Sequence, residues 1–122
     1  DELAVKSLQP DMRALQTIPD CFAVIVTAKG TSVDFVSRFF ATNAGIPEDP
    51  VTGSSHSTLI PFWSEKLAKN QITASQLSKR GGFLQCEHCG TRVKIAGKAA
   101  LYLTGEIMID NYGRGKYENL SN

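Results

Sequence analysis

A chain of 122 residues, 42% hydrophobic and 20% charged with a net charge of +1, has the make-up of one globular domain. Its lysines and arginines are scattered among acids, which excludes the basic footprint of a nucleic-acid or anionic-membrane binder. No apolar run approaches the roughly 20 residues of a membrane span, and no signal-peptide pattern is present.

The first residues, "DELAVKSLQP", read as a helical turn or two carrying Leu3 and Leu8, after which Pro10 restarts a short helix. A chain entering a helical pattern at Asp1, with no methionine, is expected to lack an upstream piece. The continuous β-branched and aromatic run "CFAVIVTA" (21–28) predicts a buried strand. Lys29-Gly30-Thr31 then makes a turn into "SVDFVSRFFA" (32–41). There Val33, Phe35 and Phe39 alternate with Asp34 and Arg38, which predicts a second strand antiparallel to the first. Leu59, Ile60, Trp63 and Leu67 fall at helical spacing. Pro61 inside that run predicts a bend, because it leaves the carbonyl of Ser57 unpaired at a cost of about 3 kcal/mol in a straight helix.

Beyond Asn70 the period returns to two. Segments 72–78, 82–88, 92–97 and 99–109 read as strands separated by glycine-bearing turns. The expected fold is therefore α+β, a curved, mostly antiparallel or mixed half-barrel sheet of roughly six strands around one central helix. Residues 1–110 form the expected lobe, and the polar, aperiodic 111–122 an expected mobile tail.

Chemistry-bearing residues crowd one place. In "EDPVTGSSH", Asp49 followed by Pro50 is a common helix start, an N-cap and an N1 proline. A cap alone leaves Thr52, Gly53, Ser54 and Ser55 unexplained, since these are mediocre helix-interior residues. Free N–H groups and hydroxyls at a helix N-terminus form an anion pocket, and Asp49 beside it is placed to move a proton. The residues by themselves leave both readings open. His56 shares a face with Ile60 and Trp63, the position of a core histidine or of an acid–base group. Arg80-Gly81-Gly82 reads as a turn, or as a close backbone approach with an arginine that pairs a carboxylate.

Cys86-x-x-Cys89, with His88 inside it, imitates a metal or redox motif. A structural zinc site needs four ligands, and beyond this cluster the chain offers only Cys21 and His56. The segment also lies between two strands instead of ahead of a helix, where a redox thiol would sit. The expectation is a core Cys86, a hairpin Cys89 and no metal. Three cysteines are an odd number for a disulfide scaffold, which points to a reducing, cytoplasmic compartment.

The ordered motifs "RFFA", "EDPVTGSSH", "PFW", "Q-x-S-x-RGG", "G-x-RV-x-I-x-G" and "GEI", spread from about Val5 to Ile107, resemble the C-terminal lobe of the phenazine-biosynthesis PhzF-like proteins, relatives of diaminopimelate epimerase. Thr42, Asn43, Ser55 and Thr91 depart from the usual pattern. The resemblance implies two similar lobes, each a curved sheet around a helix, with the active site in the cleft between them. It implies cofactor-independent isomerase or epimerase chemistry that shuttles a proton near a substrate carboxylate. The family's acidic residue then falls on Asp49 and its site serine on Ser54. Thr52, Gly53, Ser54 and Ser55 would form the carboxylate-binding end, with His56, Arg80, Gly81 and Gly82 as cleft support. The family's proton-transfer glutamate and glycine–histidine pair belong to the other lobe, which nothing here matches.

The expectation is thus half an isomerase, inactive alone. Its partners would be a small carboxylate-bearing molecule, the missing N-terminal lobe and, through the exposed cleft face, a second copy in a homodimer. The alternative from another class is a free-standing module that binds a carboxylate or self-associates without catalysis.

Overall fold

The computed structural model describes residues 1–108. Two short helices, α1 (Glu2–Ser7) and α2 (Met12–Gln16), precede β1 (Val24–Lys29) and β2 (Phe35–Phe40). A 3-10 turn at Thr42–Ala44 leads to the long helix α3 (Gly53–Leu67), then β3 (Gln71–Gln76), β4 (Gly82–Cys89) and β5 (Arg92–Ala96).

The five strands form one open sheet in the order β1-β2-β3-β4-β5. Three neighbouring pairs are antiparallel, but β2 and β3 run parallel, with Phe35 opposite Ala74. That pairing follows from α3, because parallel neighbours need a crossover and the helix is the crossover. The architecture is the expected α+β fold of a mixed sheet against a central helix.

The core lies between α3 and the inner sheet face: Phe35, Leu59, Ile60, Trp63, Ile72, Ala74, Leu84 and Cys86. Trp63 stacks on Phe35 with ring centroids 5.7 Å apart, and its indole N–H donates to Thr27 Oγ1 at 2.9 Å. Burial of each large side chain contributes about 1.5–3 kcal/mol, so α3 is held mainly by this face. The helix runs unbroken through Pro61, and Ser57, whose carbonyl the proline frees, lies on its exposed side.

Alternation in 32–41 predicts a half-exposed strand, yet every residue of β2 is buried. The reason is α1, which covers the outer face. Val5 is buried, and the Arg38 guanidinium donates to the carbonyls of Val5 and Leu8 while pairing Glu48 through two bonds at 2.7 and 3.0 Å. The strand also starts later than expected, at Phe35. Residues 30–34 form a tight loop in which a Cβ on Gly30 would lie 2.3 Å from the Val33 carbonyl oxygen.

The expected strand at 99–109 is absent over its described part, 99–108. Its apolar alternation has no sheet neighbour and no face to cover, and Leu101, Tyr102, Leu103, Ile107 and Met108 are almost fully exposed. A strand needs both a ladder partner and a buried face. Among the described residues the sheet therefore has five strands, not six. The expected tail at 111–122 lies outside the described residues.

Candidate functional site

The end of the loop between β2 and α3, residues 49–52, is tied to β2 and to the end of β3 by hydrogen bonds. Asp49 N–H donates to the Phe39 carbonyl at 3.0 Å. The Asp49 carbonyl accepts from Gln76 Nε2 at 2.7 Å, and the Pro50 carbonyl from Ser78 Oγ at 2.7 Å. Thr52 N–H donates to Gln76 Oε1 at 2.8 Å. Ser78 also accepts from Gly81 N–H at 3.0 Å, so the turn after β3 clamps the loop. Gly81 has φ +73°, the left-handed region that favours glycine. A Cβ on Gly82 would lie 2.1 Å from Val51 Cγ2, so only glycine lets the loop pack this closely.

The helix starts later than its sequence suggests. Asp49-Pro50 reads as N-cap and N1, but α3 begins at Gly53 and Thr52 occupies the N-cap position. Thr52 gives the helix no side-chain cap. Its hydroxyl donates to the Asp49 carboxylate instead, and its Oγ1 accepts from Gln76 Nε2 at 3.1 Å. The first N–H groups of a helix have no partner inside it, and those of Gly53, Ser54 and Ser55 find none outside it among the described residues. They carry the positive end of a helix 15 residues long. Gly53 and Ser54 are exposed, and a Cβ built on Gly53 would meet no atom within 4 Å.

Ser54 and Ser55 both line a groove of about 560 Å3 together with Cys21, Phe22, Phe39 and Thr58. Ser55 is otherwise buried and donates its hydroxyl to the Thr52 carbonyl at 2.9 Å, with Oγ 3.2 Å from His56 Nδ1. His56 is 0% exposed beside Phe35, with Nδ1 2.7 Å from the Thr52 carbonyl and Nε2 buried without a partner among the described residues. Nδ1 therefore carries the proton, and burial pushes the imidazole pKa below its ordinary value against the opposing effect of that carbonyl.

Asp49, Thr52, Ser55, His56, Gly81 and Gly82 are thus brought into one cluster, with Gly53 and Ser54 at its open edge. Arg80 is exposed and stands apart, lining a groove with Pro47, Glu48 and Pro50. The residue that organises the loop, Gln76, was not singled out from the sequence, although it opens the "Q-x-S-x-RGG" motif. Its signal is legible: Ile72, Ala74 and Gln76 share the inward face of β3, and a polar side chain there must find buried partners.

The cysteines lie apart from this cluster. Cys86 points into the core, where burial pushes its pKa up to about 11, and Cys89 is exposed at the other end of β4. Residues three apart in a strand face opposite sides, so the pair does not converge. Among the described residues no three His, Cys, Asp or Glu side chains gather as metal ligands. No helix among them is long and apolar enough to cross a membrane. A groove of about 800 Å3 lies over β3–β5 on the face away from the core. Its charges are already engaged, Asp34 with Lys69 at 2.6 Å and Glu87 with Lys94 at 2.9 Å. Burial would raise the Asp34 pKa, but bonds from Lys69 and Thr73 outweigh it and hold it below the usual range.

Comparison with known proteins bears on the family and the fold. Residues 1–105 match the family model described as phenazine biosynthesis-like protein. Two uncharacterized isomerases of Pseudomonas aeruginosa are 47% and 52% identical over 107 and 108 residues, in each case 88% of this chain and 41% of the relative. The crystal structure of a phenazine biosynthesis protein of the PhzF family from Enterococcus faecalis superposes with a TM-score of 0.81 at 48% identity. It covers 89% of this chain, which covers 42% of it in return. A PhzC/PhzF protein from Clostridium difficile gives 0.79 at 47% identity, with the same coverage. The chain therefore spans about two fifths of the length of the relatives it matches. The family model's match over residues 1–105 places this chain in the phenazine biosynthesis-like, or PhzF, family, whose fold its sheet and central helix share.

Proposed function

We propose that this chain is one wall of a cofactor-independent isomerase active site. The N-terminus of α3 binds the substrate carboxylate, and Asp49 exchanges a proton with the adjacent carbon. One observation carries the reading: a long helix starts without a side-chain cap, next to a carboxylate held in place by the residue that should have capped it. The open N–H groups and the helix dipole favour a bound carboxylate and the negative charge that develops on it when the neighbouring C–H bond breaks. The groove from Ser54 to Phe22 and Phe39 gives the rest of a small molecule an apolar wall.

A proton shuttle needs an acid and a base on opposed sides of the substrate. Asp49 supplies one, and a second lobe supplies the opposing group, so the lobe alone does not turn over. Relatives named isomerases and more than twice as long support this division of labour.

The test is to supply the N-terminal lobe of a PhzF-family relative, by fusion or co-expression, and to follow deuterium uptake from solvent at the substrate carbon. Exchange is expected in the two-lobe protein, and Asp49→Asn should reduce it by about 100-fold or more. Full exchange in the variant contradicts the role given to Asp49.

A second reading has its own observation. The exposed run Leu101, Tyr102, Leu103, Ile107 and Met108 suits a module that associates with a second copy and binds a carboxylate without catalysis. Sedimentation of the 122-residue chain as a dimer, with no exchange in the two-lobe protein, would favour it.

A further inference from the structure

The Gln76 side chain is 0% exposed and makes three hydrogen bonds, all to residues 49–52. Its Oε1 accepts from Thr52 N–H, while Nε2 donates to the Asp49 carbonyl and to Thr52 Oγ1. Exchanging the amide's oxygen and nitrogen would set donor against donor at Thr52 and leave the Asp49 carbonyl facing an acceptor, so the orientation is fixed. A glutamate of the same length could not make both donations when ionised.

The bond to Thr52 Oγ1 has a directional consequence. Thr52 has the extended backbone of an N-cap, φ −111° and ψ 106°, so its hydroxyl stands one χ1 rotation from the N–H groups of Ser54 and Ser55. In that rotamer it would cap the helix as threonines commonly do. With Nε2 donating to Oγ1, the hydroxyl is held away from the helix end and its own proton is left to point at Asp49.

We propose that Gln76 is a positioning residue: it keeps Thr52 from capping α3, which leaves the first-turn N–H groups free for the substrate carboxylate and turns the threonine hydroxyl toward Asp49. The assignment rests on reading the α3 N-terminus as the carboxylate site, but its geometric half can be tested with no ligand present. A purely structural glutamine would matter only for stability. A positioning glutamine has an effect that depends on the hydroxyl of Thr52.

Amide exchange at Ser54 and Ser55, measured by NMR on the 15N-labelled 122-residue chain without ligand, separates these. In Gln76→Met the freed hydroxyl should slow the Ser54 or Ser55 amide about fivefold, the effect of one N-cap hydrogen bond. Adding Thr52→Val to that variant should restore the fast exchange, since valine has no hydroxyl to cap with. Unchanged exchange in Gln76→Met, or slowing that survives Thr52→Val, overturns the proposal. Should Gln76→Met not fold, Thr52→Val alone decides: it should leave both amides within about twofold of the natural chain, and a several-fold acceleration would show that Thr52 caps the helix after all.

Titrating the same folded samples with benzoate tests the underlying reading separately. Binding that weakens about fivefold in Gln76→Met and recovers with Thr52→Val supports both statements. An absence of benzoate shifts at Gly53–Ser55 in every sample, with the exchange pattern intact, removes the carboxylate site and leaves the hold on Thr52 standing.

Discussion

The three α-helices among the described residues start in two different ways. Helices α1 and α2, both short, begin on aspartates: Asp1 accepts from Ala4 N–H at 2.7 Å, and Asp11 accepts from Arg13 and Ala14 N–H at 2.9 and 3.1 Å. Helix α3, the longest, begins on a threonine whose side chain turns elsewhere. A short helix with little packing depends on its cap. A helix laid across a sheet through Leu59, Ile60 and Trp63 does not, and its N-terminus is free for other use. Under the proposed function, the contrast separates a start that serves folding from one that serves binding.

The largest way to break the contrast is to remove the packing that makes a cap dispensable. Trp63→Ala deletes the ring stacked on Phe35 and leaves Thr27 Oγ1 without its donor. The expected loss is about 3–5 kcal/mol, read from urea unfolding. A loss below about 1 kcal/mol would show that α3 is not held by this face. Next is the loop that keeps Thr52 in place. Gly82→Ala drives a methyl into Val51 and should cost about 1–3 kcal/mol, with much of it recovered by Val51→Ala. No recovery would mean that the close approach of the two segments is not what demands glycine.

Smaller still, Asp11→Ala should weaken α2 by about 1 kcal/mol, seen as fraying of 12–16 in amide exchange while α3 is untouched. The smallest effect is set by pH. His56 is buried neutral with its pKa lowered, so below the ordinary value of 6.5 the unfolded chain takes up a proton that the folded chain refuses. Stability from this group is complete above about pH 6.5 and declines as pH falls through that value toward the lower folded pKa. The melting temperature of the natural chain should therefore fall between pH 7 and 5 more than that of His56→Gln, and equal slopes would contradict the assigned burial.

Much of this was legible in the sequence, and the failures share a cause. The Asp49–His56 cluster could be read because its residues are contiguous and of unusual type for a helix start. The helix periodicity around Ile60 and Trp63 and the strand alternation of 72–76 and 82–88 reported local facts that the fold kept. What sequence reasoning missed depends on distant partners. Arg38 is buried because α1, some thirty residues earlier, lies over it. The helix starts at Gly53 and not at Pro50 because Gln76, 24 residues after Thr52, holds the loop extended. The alternation in 99–108 is as clear as that of any strand here, but pairing needs a neighbour that no local pattern supplies.

The central claim is that the uncapped start of α3 is a carboxylate site. Titration of the 15N-labelled chain with a small carboxylate such as benzoate tests it most directly, with benzylamine as the cationic control. Saturable shifts are expected at the amides of Gly53, Ser54 and Ser55, none at the capped starts of α1 and α2, and none with the amine. Equal response at all three helix starts, or shifts confined to the groove over β3–β5, would contradict it.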